Sequence, residues 1–212
     1  MRFGFTNEAS ADLGTLLLKN LTGLWTVQEC LRSWAAHGNR MEWAPFLDSV
    51  SAVRGFQGCF DPEDPRLHQD GEMPEKICVY LRQTGQAVPQ TPAEIARCAF
   101  ESLALKYRAT IDRLRTLTGR SLTTLRVVGG GCLNHLLCQM VADATGCTVI
   151  AGPVEASALG NAMIQAVAAG HLPDIQAGQA AILASAERAF YAPRQGCGWD
   201  EAFALFQKIQ CN

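Results

Sequence analysis

Three consecutive glycines at residues 129–131 constrain the fold more than any other feature of the sequence. An apolar, β-branched run at 125–128 predicts a strand before them, and the amphipathic segment 134–144 predicts a helix after them. A strand that turns through glycines into a helix presents free N–H groups and the positive end of the helix dipole, which suits a nucleotide or a phosphate. The triplet lacks the Lys-Ser/Thr of a P-loop and the spacing of a Rossmann turn, so a tight turn without a ligand explains it equally well.

The segments around the triplet extend this pattern into a β-α-β-α unit. Residues 148–151 predict a second strand, and residues 156–169 predict a helix of small side chains. Alternating strands and helices are typical of an α/β sheet. Helical periodicity or capping signals predict further helices at 15–37, 41–53, 74–83, 91–117, 177–189 and 200–208. Thr91, Pro92 and Glu94 form a capping box at the start of the longest one.

Two amides, Asn20 and Gln28, fall on or beside the apolar face of the predicted helix at 15–37. They are eight residues apart, so in a helix they project in similar directions about two turns from each other. Two partly exposed amides at a helix edge would explain the pattern. The alternative interpretation is a helix side that lines a cleft.

The composition excludes several classes of protein. The chain has 212 residues, of which 48% are hydrophobic and 18% charged, so we expect a packed core rather than disorder. A net charge of -2 with scattered basic residues argues against nucleic acid and anionic membranes as partners. No apolar run approaches the roughly 18 residues that span a bilayer. Nine cysteines without a CxxC motif predict reduced, mostly buried thiols in a cytoplasmic protein.

An acidic, proline-rich loop at 60–67 invites a metal-site hypothesis. Adjacent carboxylates in such loops are more often solvated turn residues, and we predict no metal ligands here.

Several motifs together closely resemble the C-terminal domain of the FGGY carbohydrate kinases. The similarity rests on the glycine turn at 127–134, on the segment 137–144, and on the string Gly-Pro-Val-Glu-Ala-Ser-Ala-Leu-Gly-Asn at 152–161. Shorter matches lie at 6–8, 18–21, 23–25, 28 and 94–98. The resemblance extends from about residue 6 to residue 172.

The resemblance implies a helix-rich α/β domain of the ribonuclease-H-like, actin-type fold. It places the whole chain, 1–212, in one ATP-side domain. We expect a helical and loop part at 1–90, a nucleotide-binding core at 91–172 and a C-terminal extension at 173–212. It also implies that the first phosphate-binding hairpin and the early strands of the domain are missing. Residues 1–5, which read like the tail of a strand, agree with that.

The resemblance also implies specific ligands. ATP with Mg²⁺ would bind this domain, with Gly130 and Gln28 as ATP contacts. Gly129, Gly131 and Asn134 would be neighbours of the nucleotide, and Asn20 would contact the sugar. Glu155 would be structural, as an acid at the start of its helix.

The expected reaction is transfer of the ATP γ-phosphate to the 1-hydroxyl of L-rhamnulose or a similar ketose. The family's catalytic base is an aspartate in the N-terminal half, so we expect no base here, and we assign that role to neither Asp143 nor Asp174. The complementary N-terminal half is then an expected partner, without which helices would expose apolar faces. A non-catalytic nucleotide-binding module, or an inactive remnant, is the alternative.

Overall fold

The computed structural model describes residues 4–68, 71–196 and 198–210. Residues 1–3, and with them most of the predicted strand tail, lie outside this part, as do Cys197 and Cys211. The strands are β1 Thr6–Ala9, β2 Thr15–Leu18, β3 Thr124–Val127, β4 Thr148–Ala151 and β5 Ala189–Tyr191. The helices are α1 Trp25–Ala36, α2 Trp43–Ala52, α3 Met73–Gln83, α4 Pro92–Thr118, α5 His135–Thr145, α6 Ala156–Ala168, α7 Ile175–Ser185 and α8 Trp199–Gln210.

The long helix α4 lies at the centre of the core. The predicted capping box is confirmed at its start: Thr91 Oγ1 accepts from the Glu94 N–H at 3.3 Å, and the Glu94 carboxylate accepts from the Thr91 N–H at 3.0 Å. It ends at Gly119, whose φ of 65° lies in the left-handed region that glycine favours. Helices α1, α2, α3, α5 and α8 all pack against α4.

The sheet of the predicted core has the strand order β3-β4-β5. Strands β3 and β4 are parallel, with Thr124 opposite Thr148, and α5 connects them. The two predicted strands and the helix between them are therefore confirmed. The helix predicted at 177–189 ends earlier, at Ser185, and Ala189–Tyr191 pairs antiparallel with β4.

The N-terminal region differs from the prediction. Residues 6–9, predicted as a turn, and 15–18, predicted as helix, form an antiparallel hairpin with Thr6 opposite Leu18. A tight turn closes it: the Leu13 N–H donates to the Ser10 carbonyl at 3.0 Å, and the Asp12 carboxylate accepts from the Gly14 N–H at 3.1 Å. The helix starts only at Trp25, so Asn20 and Gln28 do not share one helix.

The acidic loop has a counter-charge within the protein. Lys106 of α4, which is 3% exposed, places its Nζ 2.8 Å from Asp61 Oδ1 and 2.7 Å from Glu63 Oε2. Gln210 of α8 donates to the second Asp61 oxygen at 2.8 Å. These side chains, Asp61, Glu63, Lys106 and Gln210, form the Lys106 cluster, which joins the loop to α4 and α8.

The thiols are buried where the structure describes them. Cys30, Cys59, Cys78, Cys98, Cys132, Cys138 and Cys147 are free and buried, which confirms the prediction for these seven. Among the described helices, none has the length and apolar composition that crossing a membrane requires.

Candidate functional site

The glycine turn joins β3 to α5 through a short 3-10 segment at Gly130–Leu133. Gly129 adopts φ 74° and ψ -169°, a conformation that side-chain-bearing residues rarely adopt. The Cys132 N–H donates to the Gly129 carbonyl at 3.1 Å. Asn134 then caps α5, because its Oδ1 accepts from the Leu137 N–H at 2.9 Å. The predicted passage from a strand end into a helix start is therefore present.

The three glycines face open space. A Cβ built on Gly129, Gly130 or Gly131 would meet no atom of the described chain within 4 Å. Packing within the described chain therefore does not require glycine at these three positions, although the positive φ favours it at Gly129, and the open side leaves room for a ligand.

A cavity of about 280 Å³ lies beside the turn, and its lining is mostly apolar. It is shaped by the segment before α1, by the end of β3 and the glycine turn, and by one side of α4 and α5. The lining residues are Gly23, Leu24, Tyr107, Val127, Val128, Gly131, Leu137, Cys138 and Val141. A cavity of this size and polarity suits a flat, apolar ring system.

No charge develops on the cavity wall near neutral pH. Burial raises the pKa of the Cys138 thiol to about 11 and also raises the pKa of the Tyr107 hydroxyl. Both side chains are therefore protonated at pH 7, and the wall presents sulfur, ring and aliphatic surface. The helical periodicity at 91–117 predicts only that Tyr107 lies on an apolar face. The spacing does not predict its position beside the glycine turn.

Gln28 lies one turn into α1, and its side chain is exposed. Its N–H donates to the carbonyl of Leu24, which lines the cavity, at 2.9 Å. The structure thus brings the first turn of α1 to the glycine turn, across about one hundred residues of chain. Asn20 is exposed in the segment between β2 and α1 and is not among the residues that line the cavity.

The Asn134 side chain caps α5 through its Oδ1, which leaves its buried amide nitrogen, Nδ2, without a role in the cap. The residue is 2% exposed, and its Nδ2 has no hydrogen-bond partner within the described residues. Thr26 Oγ1, in the first turn of α1, is likewise buried without a partner there. Unpaired buried polar atoms are rare in folded proteins, so the Asn134 amide donor is a candidate contact for a ligand at the glycine turn.

The two aspartates of the core unit and the C-terminal segment have structural partners. Asp143 Oδ2 lies 2.7 Å from Arg194 Nη2, and its other oxygen accepts the Arg194 N–H at 2.8 Å. Asp174 caps α7 by accepting the Ala177 N–H at 2.7 Å. Glu155 stands at the N-terminal end of α6 with an exposed side chain. In the part of the chain that the structure describes, no three His, Cys, Asp or Glu side chains gather into a metal site.

Two larger clefts lie away from the turn. One, of about 620 Å³, separates the β1–β2 hairpin from α6 and α7. The other, of about 610 Å³, contains Arg108, Arg115 and Arg194, each of which already pairs with an aspartate. Neither is lined by the glycine turn, and neither contains one of the buried polar atoms without a described partner, so the glycine turn and its cavity form the better candidate site.

Comparison with known proteins gives consistent matches. The sequence model for the C-terminal domain of the FGGY family of carbohydrate kinases matches residues 5–169. The chain is 37% identical over 203 residues to the rhamnulokinase of Bacteroides thetaiotaomicron, covering 96% of this chain and 41% of that protein. It is 42% identical over 183 residues to the rhamnulokinase of Enterococcus faecalis, covering 85% of this chain and 36% of that one.

Solved structures with the same fold are also sugar kinases by name. A xylulose kinase from Lactobacillus acidophilus superposes with a TM-score of 0.67 at 14% identity, over 98% of this chain and 42% of that one. A gluconate kinase from the same organism gives a TM-score of 0.66 at 15% identity, with the same coverage. The helix-rich α/β fold predicted from the sequence is confirmed. The chain spans about two fifths of the length of these relatives.

Proposed function

The chain belongs to the FGGY family of carbohydrate kinases, and from that premise we propose that it supplies the ATP-binding half of a rhamnulokinase-like enzyme. The proposed reaction transfers the γ-phosphate of ATP to the 1-hydroxyl of L-rhamnulose. The names of its 37–42% identical relatives support the substrate. The proposed location is the cytoplasm, and the proposed division of the chain at residues 90 and 172 follows the same resemblance.

The observation that carries this proposal is the open glycine turn beside an uncharged, apolar cavity. The cavity suits the flat base of a nucleotide, with Leu24 and Val128 on its walls. The open side of Gly129, Gly130 and Gly131 would admit the rest of the nucleotide. Asn134 Nδ2 would donate to it, and Gln28 would contact it from α1.

The rest of the catalytic apparatus would come from outside this chain. Phosphoryl transfer needs an oriented acceptor, a base or positioning group for its hydroxyl, and a metal that offsets the phosphate charge. We place the base in the complementary half, as the family resemblance implies, and Asp143 and Asp174 are both held in structural contacts. The described residues contain no carboxylate cluster for Mg²⁺, so the ion would be held by the nucleotide and by that other half. Asn20 is the proposed sugar contact on this side.

The first test is calorimetric titration of the chain with MgATP. We expect saturable binding with a dissociation constant in the range of about 1 μM to 1 mM that kinase substrates commonly show. A joined protein, in which the part of the Bacteroides rhamnulokinase outside its match is fused to this chain, should then phosphorylate L-rhamnulose. Absence of MgATP binding in both proteins would refute the assignment.

A non-catalytic nucleotide-binding module is the second candidate. It is favoured by one observation, that Asp143 and Asp174 are both held in structural contacts and neither is free to act as a base. It predicts MgATP binding by the chain together with an inactive joined protein.

A further inference from the structure

Three polar side chains on one face of α5 contact a single short segment that follows β5. His135, Gln139 and Asp143 are spaced four residues apart, so they lie along the same side of the helix. The segment that they contact, residues 191–194, starts at the last residue of β5 and runs beside α5. We call this segment the α5 strap.

The strap is anchored near the C-terminal end of α5 by an ion pair. The Arg194 N–H donates to Asp143 Oδ1 at 2.8 Å, and Arg194 Nη2 lies 2.7 Å from Asp143 Oδ2. The Asp143 side chain is 1% exposed, so its buried charge depends on this partner. One turn earlier, Gln139 Nε2 donates to the Ala192 carbonyl at 2.9 Å.

At the other end of the strap, Tyr191 reaches the first residue of α5. Its backbone belongs to β5 and lies opposite Val149 of β4. Its hydroxyl hydrogen-bonds Nδ1 of His135, and the two ring centroids are 6.2 Å apart. Burial raises the pKa of the Tyr191 hydroxyl, so the group is protonated at pH 7 and can either donate or accept. This contact ties the start of α5 to the sheet.

The apolar contacts of α5 do not specify its position in the same way. The helix packs against α4 and β4, and its Leu137 and Val141 belong to the apolar core. Because apolar packing is non-directional, it leaves small rotations and shifts of the helix undetermined. Hydrogen bonds at three points along the opposite polar face fix both the rotation of α5 and its position along its axis.

The start of α5 in turn sets the position of the glycine turn. Asn134 immediately precedes His135, and its N–H donates to the Gly131 carbonyl at 3.2 Å. On the open side of the turn, a Cβ built on Gly130 or Gly131 would meet no atom of the described chain within 4 Å. A shift of the helix start would therefore move the turn and the Asn134 amide together.

We propose that Tyr191 is a positioning residue for nucleotide binding, which acts through His135 to hold the glycine turn and Asn134 in the arrangement that binds MgATP. This inference rests on the proposed function for the identity of the ligand. The strap lies beyond residues 5–169, the part of the chain that the family's domain model matches. Because the strap orders the turn beforehand, the nucleotide does not lose affinity by ordering it.

Tyr191→Phe tests the proposal by removing the hydroxyl and keeping the ring. The dissociation constant for MgATP, measured by calorimetric titration of the chain, should rise about fivefold. Tyr80→Phe is the matched control, because Tyr80 lies in α3 beside Phe60 and Arg66, and it should bind MgATP like the parent. Equal affinities for Tyr191→Phe and the parent would overturn the proposal.

A double-mutant cycle tests whether Tyr191 acts through His135. His135→Phe removes the other half of the hydrogen bond and should weaken MgATP binding to a similar extent. Since both substitutions remove one contact, the double variant should bind MgATP no more than about twofold more weakly than either single variant. Losses that multiply in the double variant would show that the two side chains act independently, which contradicts the proposal.

Kinetics of the joined protein described above separate positioning from general damage to the fold. Tyr191→Phe should raise the KM for MgATP about fivefold and leave kcat for L-rhamnulose within about twofold of the parent. A lower kcat with an unchanged KM would overturn the assignment to nucleotide binding.

Hydrogen exchange at the turn distinguishes this inference from the proposed function. The Cys132 and Asn134 amides are hydrogen-bonded within the turn, and both should exchange at least about threefold faster in Tyr191→Phe than in the parent. Faster exchange together with a parent that does not bind MgATP would refute the nucleotide assignment and leave the positioning of the turn standing. A parent that binds MgATP, with exchange and affinity unchanged in Tyr191→Phe, would refute the role of the strap alone. If Tyr191→Phe does not fold, the same measurements on His135→Phe decide.

Discussion

Gly129 and Gly130 are neighbours with different reasons for being glycine. Gly129 has a φ of 74°, so the backbone itself favours glycine there. Gly130 has no positive φ, and an added Cβ would meet nothing within 4 Å. Neither the backbone conformation nor packing within the described chain therefore requires glycine at Gly130, where we propose that the nucleotide approaches.

Gly130→Val should separate ligand binding from folding. The branched side chain would stand where the nucleotide approaches, so we expect MgATP affinity to fall about tenfold or more, while the free energy of unfolding changes by less than about 1 kcal/mol. Calorimetry and urea unfolding measure the two quantities. Gly160→Val in α6, which also has open space around it, is the matched control and should bind MgATP normally. Equal affinities for the two variants would contradict the assignment of Gly130.

Lys106 is expected to be important for stability rather than binding. Its ammonium is buried between Asp61 and Glu63, so Lys106→Met would leave two carboxylates without their counter-charge. We expect the free energy of unfolding at pH 7 to fall by about 3 kcal/mol. Lys208→Met, on the exposed side of α8, should change it by less than about 0.5 kcal/mol. Similar losses in the two variants would show that the Lys106 cluster does not stabilise the fold.

The Lys106 cluster predicts that the free energy of unfolding depends on pH. Burial by itself raises the pKa of Asp61, but hydrogen bonds from Lys106, the Glu63 N–H and Gln210 outweigh it and hold that pKa below its ordinary 3.8. The ionised carboxylate thus stabilises the fold above pH 3.8, and this contribution is lost as the pH falls through the lower folded-state pKa. Urea unfolding between about pH 5 and about pH 2 should show a smaller loss of unfolding free energy for Lys106→Met than for the parent. An equal loss of unfolding free energy in the two proteins would contradict this pH dependence.

At the scale of elements, the Asn134 side chain at the start of α5 caps the helix and is also our proposed contact to the nucleotide. Asn134 Oδ1 caps the helix, and its Nδ2 has no described partner. Asn134→Ser keeps a capping oxygen, whereas Asn134→Ala removes it and should cost about 1 kcal/mol of unfolding free energy. Both remove the amide donor, so both should weaken MgATP binding about fivefold or more. An Asn134→Ser variant with full affinity would show that only the cap matters.

The sequence predicted the elements whose signals are local and strong. The capping box at Thr91 and the glycine at 119 located α4, and the β-branched runs located β3 and β4. The hairpin was missed because Leu16, Leu17 and Leu18 continue into Leu21 and Leu24 at helical spacing. Strand β2 is exposed along its whole length and shows none of the alternation that would have identified it.

The candidate site was predicted only in part, for a related reason. Gly130 and Asn134 are local to one turn, so spacing and resemblance were enough to select them. The cavity depends on Leu24 and Tyr107, which meet the turn only because α1 and α4 pack together. Periodicity places such residues on an apolar face but does not tell which of them border a cavity. Burial of the unpaired Asn134 Nδ2 likewise became visible only in three dimensions.

At the scale of the whole molecule, the domain has a well-packed side and an open side. Helix α5 packs against β4 and β5, and α4 packs against α5; Phe100 of α4 and Ala142 of α5 are fully buried. The other face, the hairpin and α6 lack such cover among the described residues. The apolar groups of this domain are therefore well packed on one side only. The glycine turn lies at the boundary between the two sides.

The chain alone should therefore behave as an incomplete domain. Exposed leucines on β2, together with Phe190, should bind a hydrophobic dye such as ANS and promote self-association at micromolar concentration. In the joined protein these surfaces would be covered, so dye fluorescence should fall several-fold and thermal unfolding should become more cooperative. Light scattering, dye binding and calorimetry on both proteins measure this. If the chain alone is monodisperse, melts cooperatively and binds no dye, the open side needs no partner. The apolar groups exposed on that side would then be compatible with water.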